Sequence, residues 1–278
     1  MILIAESGST KTNWLAADNT LYETIGLNPL FFSSDEIFEE LMKNELLTAS
    51  RGNFSQIFFY GASCSSAERN EIVSRALHRF FTNAGKIEVD HDLKAAAIAT
   101  YSGKPGIACI LGTGSNSCLY DGKNLTEVVP ALGYVLGDEG GGAYFGKKLL
   151  TLFLYHLLPE QTAAIISGKY GYTKEKIFDM VYKQPNANRK MAALTQVLSE
   201  SPDKEFVSDF VKKGFREFFQ YHVCCYKNYK SYPVHFVGSL AYVFKNELAE
   251  VAKEYGCELG IVDRQPVYNM LQWHLKNA

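Results

Sequence analysis

Two short segments rich in glycine and hydroxyl side chains carry the clearest chemistry in this chain. The first is Glu6-Ser7-Gly8-Ser9-Thr10-Lys11-Thr12, directly after the apolar run Ile2-Leu3-Ile4-Ala5. The second, roughly a hundred residues on, is Leu111-Gly112-Thr113-Gly114-Ser115-Asn116-Ser117, directly after Gly106-Ile107-Ala108-Cys109-Ile110. Glycine lets the backbone turn sharply and come close to a ligand. Successive backbone N–H groups in such a turn form an anion-binding concavity, and hydroxyls add donors. One such turn suits any hairpin; two, one early in each half, point to duplicated domains that face one phosphate chain. Neither is a P-loop, because Lys11-Thr12 follows Thr10 rather than glycine. Neither is a dinucleotide fingerprint, because Cys118-Leu119-Tyr120 reads as strand where that motif needs a helix.

Four further segments could hold a polar ligand. Asp90-His91-Asp92 closes a strand and opens a helix. Asp92 there can cap the helix, or it can accept a proton from a substrate hydroxyl at the end of a sheet strand; the sequence leaves both roles open. Gly137-Asp138-Glu139-Gly140-Gly141-Gly142 sets two acids among glycines ahead of a helix. The acids complement that helix's dipole, or Asp138 accepts hydrogen bonds from a polyol. Gly26-Leu27-Asn28-Pro29 reads either as a turn opening or as an amide that contacts sugar hydroxyls. Phe236-Val237-Gly238-Ser239-Leu240 reads as strand, glycine turn and helix, a plain connection or a place where backbone admits a flat ring.

These segments need a scaffold that presents strand ends. Ile2–Ala5, Trp14–Ala17 and Leu21–Ile25 read as three strands joined by short turns, with Asp18-Asn19 as a hairpin turn. Ser34 is expected to cap a helix over 35–47 with Ile37, Phe38, Leu41 and Met42 on one stripe. Gln56–Tyr60 reads as a buried strand, Ser66–Phe81 as an amphipathic helix, Lys86–Val89 as a strand and Asp92–Tyr101 as an alanine-rich helix. Ser102-Gly103-Lys104-Pro105-Gly106 reads as a linker, after which the plan restarts with strands at Ile107–Leu111, Ser117–Tyr120 and Leu125–Val129. A long helical insertion over 139–230, strand His235–Val237, helix Leu240–Tyr255, strand Glu258–Ile261 and a last helix opened by Pro266 complete the reading.

Bulk properties narrow the classes. The 278 residues suit two domains, 47% of them are hydrophobic, and the net charge of −2 implies no nucleic-acid partner. The opening residues lack a basic n-region, and no apolar run is long enough to span a bilayer, so a cytoplasmic protein without membrane partners is expected. Cys64, Cys109, Cys118, Cys224, Cys225 and Cys257 contain no C-x-x-C pair, which leaves a zinc or redox site without support. The six histidines are scattered and read as structural or surface residues.

Taken together, the segments resemble the sugar kinase, heat-shock chaperone and actin superfamily. They look most like its N-acetylglucosamine kinase branch, which shares a sequence family with benzoyl-CoA-reductase-activator ATPases. The resemblance runs along essentially the whole chain, in order. It implies an α/β protein of two ribonuclease H-like domains, each a mixed five-stranded sheet flanked by helices, with ATP in the cleft between them. The domains would be 1–103, joined by a C-terminal helix over 265–278, and 104–264, which carries the insertion 139–230.

By that resemblance Gly8, Ser9, Thr10, Lys11 and Thr12 form the first phosphate loop, and Gly112, Thr113, Gly114 and Ser115 the second. Gly238 and Ser239 fall in the adenosine motif. Asp92 is the catalytic aspartate, which takes the proton from the 6-hydroxyl of an amino sugar as it attacks the γ-phosphate. Asn28, Asn116, Asp138 and Glu139 hold that sugar, expected to be N-acetylglucosamine, and Glu6 orders Mg²⁺ through water. A homodimer is compatible with the resemblance, with the insertion as its candidate surface.

The chain departs from the usual pattern at several points. Glu6 stands where aspartate is usual, Gly141 where serine ends the sugar motif, and Gly238-Ser239 where paired glycines are frequent. Leu132 and Tyr134 occupy the region where a tryptophan is often found. Two other readings stay open: a reductase-activating ATPase, which would need exposed cysteines for an iron–sulfur cluster, and a nucleotide or sugar sensor without turnover.

Overall fold

The computed structural model describes residues 1–277. They fall into two compact units: Met1–Lys104 with the segment from Gln265 onward, and Pro105–Arg264.

In the first unit, β1 (Ile2–Ser7), β2 (Lys11–Ala16) and β3 (Leu21–Ile25) form an antiparallel meander. β4 (Gln56–Gly61) and β5 (Lys86–His91) then add in parallel beside β1, giving the order β3-β2-β1-β4-β5. The Asp18-Asn19 turn forms as expected, with Asn19 at φ +68° and the Thr20 amide donating to Asp18 Oδ1.

α1 (Ser34–Met42), α2 (Glu45–Ser50) and α3 (Ala67–Phe80) belong to the layer that packs on Leu3, Ala5, Trp14 and Phe59. α4 (Asp92–Thr100) and α14 (Val267–Asn277) pack on each other and on β1. On that side the His274 ring of α14 lies 3.9 Å from the Phe58 ring and 2.9 Å from Tyr60 Oη. α4 is alanine-rich because the helix is enclosed: Ala95, Ala96, Ala97 and Ala99 are all buried. Larger side chains would hold it away from its neighbours.

Two expectations are corrected here, and one open choice is closed. The cap of α1 is Ser33, not Ser34, because Ser33 makes a reciprocal capping box with Glu36. The helix expected over 35–47 breaks at Asn44, whose side chain accepts from the Leu47 amide and caps α2 instead. α4 is capped by His91, whose Nδ1 accepts from the Leu93 amide at 3.1 Å, so Asp92 is the first helical residue rather than the cap.

The second unit repeats the plan. β6 (Gly106–Leu111), β7 (Ser115–Tyr120) and the short β8 (Leu125–Thr126) form the meander. β9 (Val234–Val237) and β10 (Leu259–Asp263) add in parallel, giving the order β10-β9-β6-β7-β8. Read from the β8 edge, that order is the same as in the first unit.

Between β8 and β9 lies the helical insertion. It holds α5 (Gly133–Leu136), α6 (Gly142–Leu154), α7 (Glu160–Ala164) and α8 (Lys174–Tyr182). α9 (Ala187–Ala193), α10 (Gln196–Glu200) and α11 (Lys204–Phe218) follow. A π-helical turn, Phe219–Val223, continues α11 and brings Phe218, Phe219 and Phe236 into one aromatic cluster.

The helix expected over 240–255 is two helices, α12 (Ser239–Val243) and α13 (Lys245–Glu254). Phe244 leaves the helical region at the junction, with φ −106° and ψ +36°. Cys109 and Cys118 are buried in β6 and β7, and none of the six cysteines forms a disulfide. Among the described residues no helix is long and apolar enough to cross a membrane.

Candidate active site

In the first unit the candidate residues gather at the carboxyl ends of the parallel strands β1, β4 and β5, where open α/β sheets bind ligands. The turn after β1 closes when the Gly8 amide donates to the Lys11 carbonyl at 3.0 Å. Behind it runs a chain of hydroxyls. The Leu27 amide donates to Ser7 Oγ at 3.0 Å, and Ser7 Oγ lies 2.8 Å from Thr12 Oγ1. Thr12 Oγ1 donates to the Ile25 carbonyl at 2.9 Å. A threonine hydroxyl has one proton; Thr12 gives it to Ile25, so Ser7 must be the donor to Thr12.

Ser7 and Thr12, both buried, therefore pin the turn to the end of β3. They leave Ser9 and Thr10 at its tip. The Lys11 ammonium pairs with Glu23 at 2.8 Å on the exposed face of the meander. Of the residues expected in the first phosphate loop, the structure thus presents Gly8, Ser9 and Thr10 on the turn. Thr12 is inside the scaffold, and the Lys11 charge is engaged beside it.

Asn28 is 4% exposed, and its amide is locked from both sides. Nδ2 donates to Ser63 Oγ at 3.1 Å, and Oδ1 accepts from the Leu30 amide at 2.9 Å. Ser63 follows β4 with φ +68°, a left-handed conformation uncommon for serine. Asp92 opens α4, with His91 Nδ1 3.5 Å from its Oδ1. Its neighbour Asp90 is paired with Lys94 at 2.6 Å. The Asp92 charge is among the influences that raise the buried Cys64 thiol to about 12, after burial itself, which makes that thiol inert. Glu6 Oε2 accepts from Asn13 Nδ2 at 3.3 Å.

In the second unit the acidic glycine segment and the second turn are one construction. The turn closes through the Gly112 amide, which donates to the Gly114 carbonyl at 3.0 Å. The first residues of α6 then dock on it: the Gly142 amide donates to the Gly112 carbonyl and the Ala143 amide to the Thr113 carbonyl, each at 2.8 Å. Asp138, at φ +61°, turns its carboxylate back so that Oδ1 accepts from the Ser115 amide at 3.3 Å.

Gly114 makes this possible, since a Cβ there would sit 2.7 Å from Asp138 Oδ2. Burial raises the Asp138 carboxyl above its usual range, and the Ser115 amide opposes the rise. Ser115 Oγ is buried without a hydrogen-bond partner. Asn116 Oδ1 accepts from the Ser117 amide at 2.8 Å.

Glu139 turns the other way, and its Oε2 lies 3.2 Å from His222 Nε2. Gly238, at φ +124°, lets β9 and α12 meet against β6, for a Cβ there would stand 2.3 Å from the Leu111 carbonyl oxygen. Gly238, one of the two residues expected to border adenosine, therefore lies against the base of the second turn.

Sequence reasoning passed over Ser7 as scaffold, Ser63 and His222. For His222 a signal was present: it continues the apolar stripe of Phe215, Phe218 and Phe219, and a polar ring buried on such a stripe needs a partner. For Ser63 no signal existed, since its bond to Asn28 crosses 35 residues.

Two sheets of the same order, with hydroxyl-rich turns after their first strands, define the class of sugar kinases and actin-like ATPases. No family model and no curated protein sequence matches the chain. Solved structures do. A candidate N-acetylglucosamine kinase from Porphyromonas gingivalis aligns with a TM-score of 0.93 and 36% identity over 100% of this chain and 99% of that one. A second candidate N-acetylglucosamine kinase, from Chromobacterium violaceum, aligns at 0.63 and 16% over 98% of each chain. A ROK family glucokinase from Streptomyces griseus, in complex with glucose and AMPPNP, aligns at 0.56 and 12% over 97% of this chain and 98% of that one. The last two show the fold alone. The chain belongs to the superfamily of sugar kinases and actin-like ATPases, in its N-acetylglucosamine kinase-like branch.

Proposed function

We propose that the chain is an ATP-dependent sugar kinase that transfers the γ-phosphate to the 6-hydroxyl of an amino sugar, N-acetylglucosamine first among them. The observation that carries this is the fusion of the acidic glycine segment with the second hydroxyl-rich turn. A kinase must hold a phosphoryl donor beside an acceptor alcohol. Here the carboxylate suited to sugar hydroxyls, Asp138, is hydrogen-bonded to the turn suited to phosphate. The candidate N-acetylglucosamine kinase from Porphyromonas gingivalis, 36% identical over the whole chain, supports the amino sugar.

The roles follow from the geometry within each unit. Gly8, Ser9 and Thr10 on the first turn and Gly112, Thr113 and Gly114 on the second offer amides and hydroxyls to the phosphates. The unsatisfied Ser115 hydroxyl gains a partner when a phosphate or sugar oxygen arrives. Gly238 and Ser239 border the adenosine. Asn28, rigid through Ser63, and Asn116, Asp138 and Glu139 hold the sugar. Asp92, relieved of capping by His91, accepts the proton of the attacking hydroxyl.

Mg²⁺ fits this donor set in a limited way. Among the described residues no cluster of three His, Cys, Asp or Glu side chains stands ready for a metal, and Glu6 is a single carboxylate at the end of β1. Mg²⁺ that keeps most of its waters and binds phosphate needs little more from the protein. When bound it neutralises charge on the phosphates; Glu6, steadied by Asn13, holds its waters.

The test is ADP release from Mg-ATP with N-acetylglucosamine, glucosamine, N-acetylmannosamine, N-acetylmuramic acid, glucose or buffer, followed by phosphorus and carbon NMR of the product. Release that depends on an amino sugar, with phosphate on carbon six, is the expected outcome. Release without sugar would replace this reading with an activator-type ATPase. No release with any sugar would replace it with a sensor.

A further inference from the structure

His222 sits on the π-helical turn that continues α11, 83 residues beyond Glu139 in sequence. It is 5% exposed. Its backbone carbonyl accepts the Ser117 hydroxyl at 2.6 Å, and that hydroxyl also meets Tyr226 Oη at 3.1 Å. Ser117 lies on β7, two residues past the Ser115 whose amide holds Asp138. The imidazole stacks on Phe218, with ring centres 5.0 Å apart and planes 20° from parallel. Phe218 in turn backs the Gly140 backbone of the acidic segment.

The ring is thus fixed by a carbonyl anchor and by a stacking face, and only its edge reaches the site. There Nε2 lies 3.2 Å from Glu139 Oε2. A carboxylate can only accept, so Nε2 carries the proton and donates it. Nδ1, on the other edge, is buried without a partner. The ring therefore makes one side-chain hydrogen bond, and it goes to Glu139. About a fifth of the Glu139 side chain stays accessible, which leaves the other carboxylate oxygen for a ligand.

The π turn is part of the device. A regular α-helical continuation of α11 would place the ring edge about 100° away per residue of slip. The wide turn, closed by the Cys224 amide on the Phe219 carbonyl at 2.8 Å, keeps Phe218, Phe219 and His222 on one inward face. Single π turns of this kind cluster at functional sites.

We propose that His222 is a positioning residue for Glu139. It fixes which carboxylate oxygen faces the substrate and, through the Phe218 stack, links the helical insertion to the segment that holds the sugar. The inference rests on the kinase reading for the identity of the ligand, but not for the contact itself.

Two measurements decide it. The first is the imidazole nitrogen NMR spectrum of the full chain, compared with the Glu139→Ala variant. The His222 ring should show one locked tautomer, protonated at Nε2, that loosens to an exchanging pair in the variant; identical ring signals in both proteins would overturn the contact. The second is steady-state kinetics of His222→Phe, which keeps the stack and loses the donor, and of His222→Gln, which keeps an N–H. The Phe variant should raise the sugar KM about 10- to 100-fold with the ATP KM unchanged, and the Gln variant should recover much of it. Equal rises in both KM values, or no rise, would overturn the positioning role. Wild-type protein without sugar-dependent turnover would instead remove the kinase reading and the ligand half of this inference, while the NMR comparison still judges the contact.

Discussion

The Asp138 carboxylate can be displaced by one methyl group placed elsewhere. Gly114 does not use a left-handed conformation, so Gly114→Ala adds a side chain without backbone strain. The new Cβ would lie 2.7 Å from Asp138 Oδ2 and 2.9 Å from both Cγ and Oδ1. Ordinary contact needs about 3.4 Å or more, so the carboxylate must retreat by roughly 0.7 Å. The bond from the Ser115 amide to Oδ1 is already 3.3 Å long and does not survive that movement.

Losing one hydrogen bond to a charged group costs about 1.5–3 kcal/mol, which is about 10- to 150-fold in sugar kcat/KM. Gly112→Ala is the internal control, because its Cβ would meet nothing within 4 Å in the protein. That methyl projects into space assigned to phosphate, so it should raise the ATP KM and spare sugar binding. The assay is coupled ADP release with each substrate varied in turn, beside thermal melting to confirm folding. A folded Gly114→Ala protein with unaltered sugar kcat/KM would refute Asp138 as a sugar ligand.

Further outcomes follow from other sites. Asp92→Asn should lower kcat by about two to four decades while the sugar Kd, measured by calorimetry, stays the same; unchanged turnover would remove its role as base. Thr12→Val breaks the hydroxyl chain behind the first turn and should cost about 1–3 kcal/mol in urea unfolding; unchanged stability would mean the chain of hydroxyls is not what pins the turn. Glu6→Asp should lower the Mg²⁺ concentration at half-maximal turnover, and a rise would show that the longer arm is the better fit here.

His274 supplies a pH prediction. Burial holds its ring down at about 4, against an ordinary 6.5, with Glu88 opposing the shift and Lys86 and Lys94 adding to it. A depressed histidine stabilises the neutral fold above the unfolded value. That contribution, about 3 kcal/mol at most, is lost as pH falls from about 6.5 to about 4. Urea midpoints of wild type and His274→Gln should therefore differ in slope across that window, and parallel slopes would refute the assignment.

Much of the scaffold was legible because it is local. Apolar runs between turn residues mark Leu21–Ile25 at its observed bounds and Gln56–Tyr60 to within a residue. The helix breaks at Asn44 and Phe244 were not legible: at Asn44 a cap on the Leu47 amide wins over an apolar stripe that reads straight through, and at Phe244 the backbone leaves the helical region for a single residue. At the site, residue types pointed to the turns and the acids, but not to the division of labour among them. Thr12 looks like Thr10 in sequence; only the register that sets it opposite Ser7, beneath Ile25, turns its hydroxyl inward. The cap on α4 went to His91 rather than Asp92 for a similar reason, since an imidazole nitrogen can accept an amide proton as well as a carboxylate can. His222 and Glu139 are 83 residues apart, and no short-range pattern joins them.

The pairing order of the strands also sets when each unit can finish during synthesis. β6 finds β9 only after the whole insertion has been made, since Ile107 pairs with Val234. The first unit has its five strands by His91, yet the face with Phe58 and Tyr60 waits for His274 and its helix. A nascent chain therefore carries that apolar face with α4 but without its second helix while more than 150 further residues are translated. Ribosomes that stall in the second unit would release chains displaying it, a ready mark for chaperones and proteases that survey unfinished proteins.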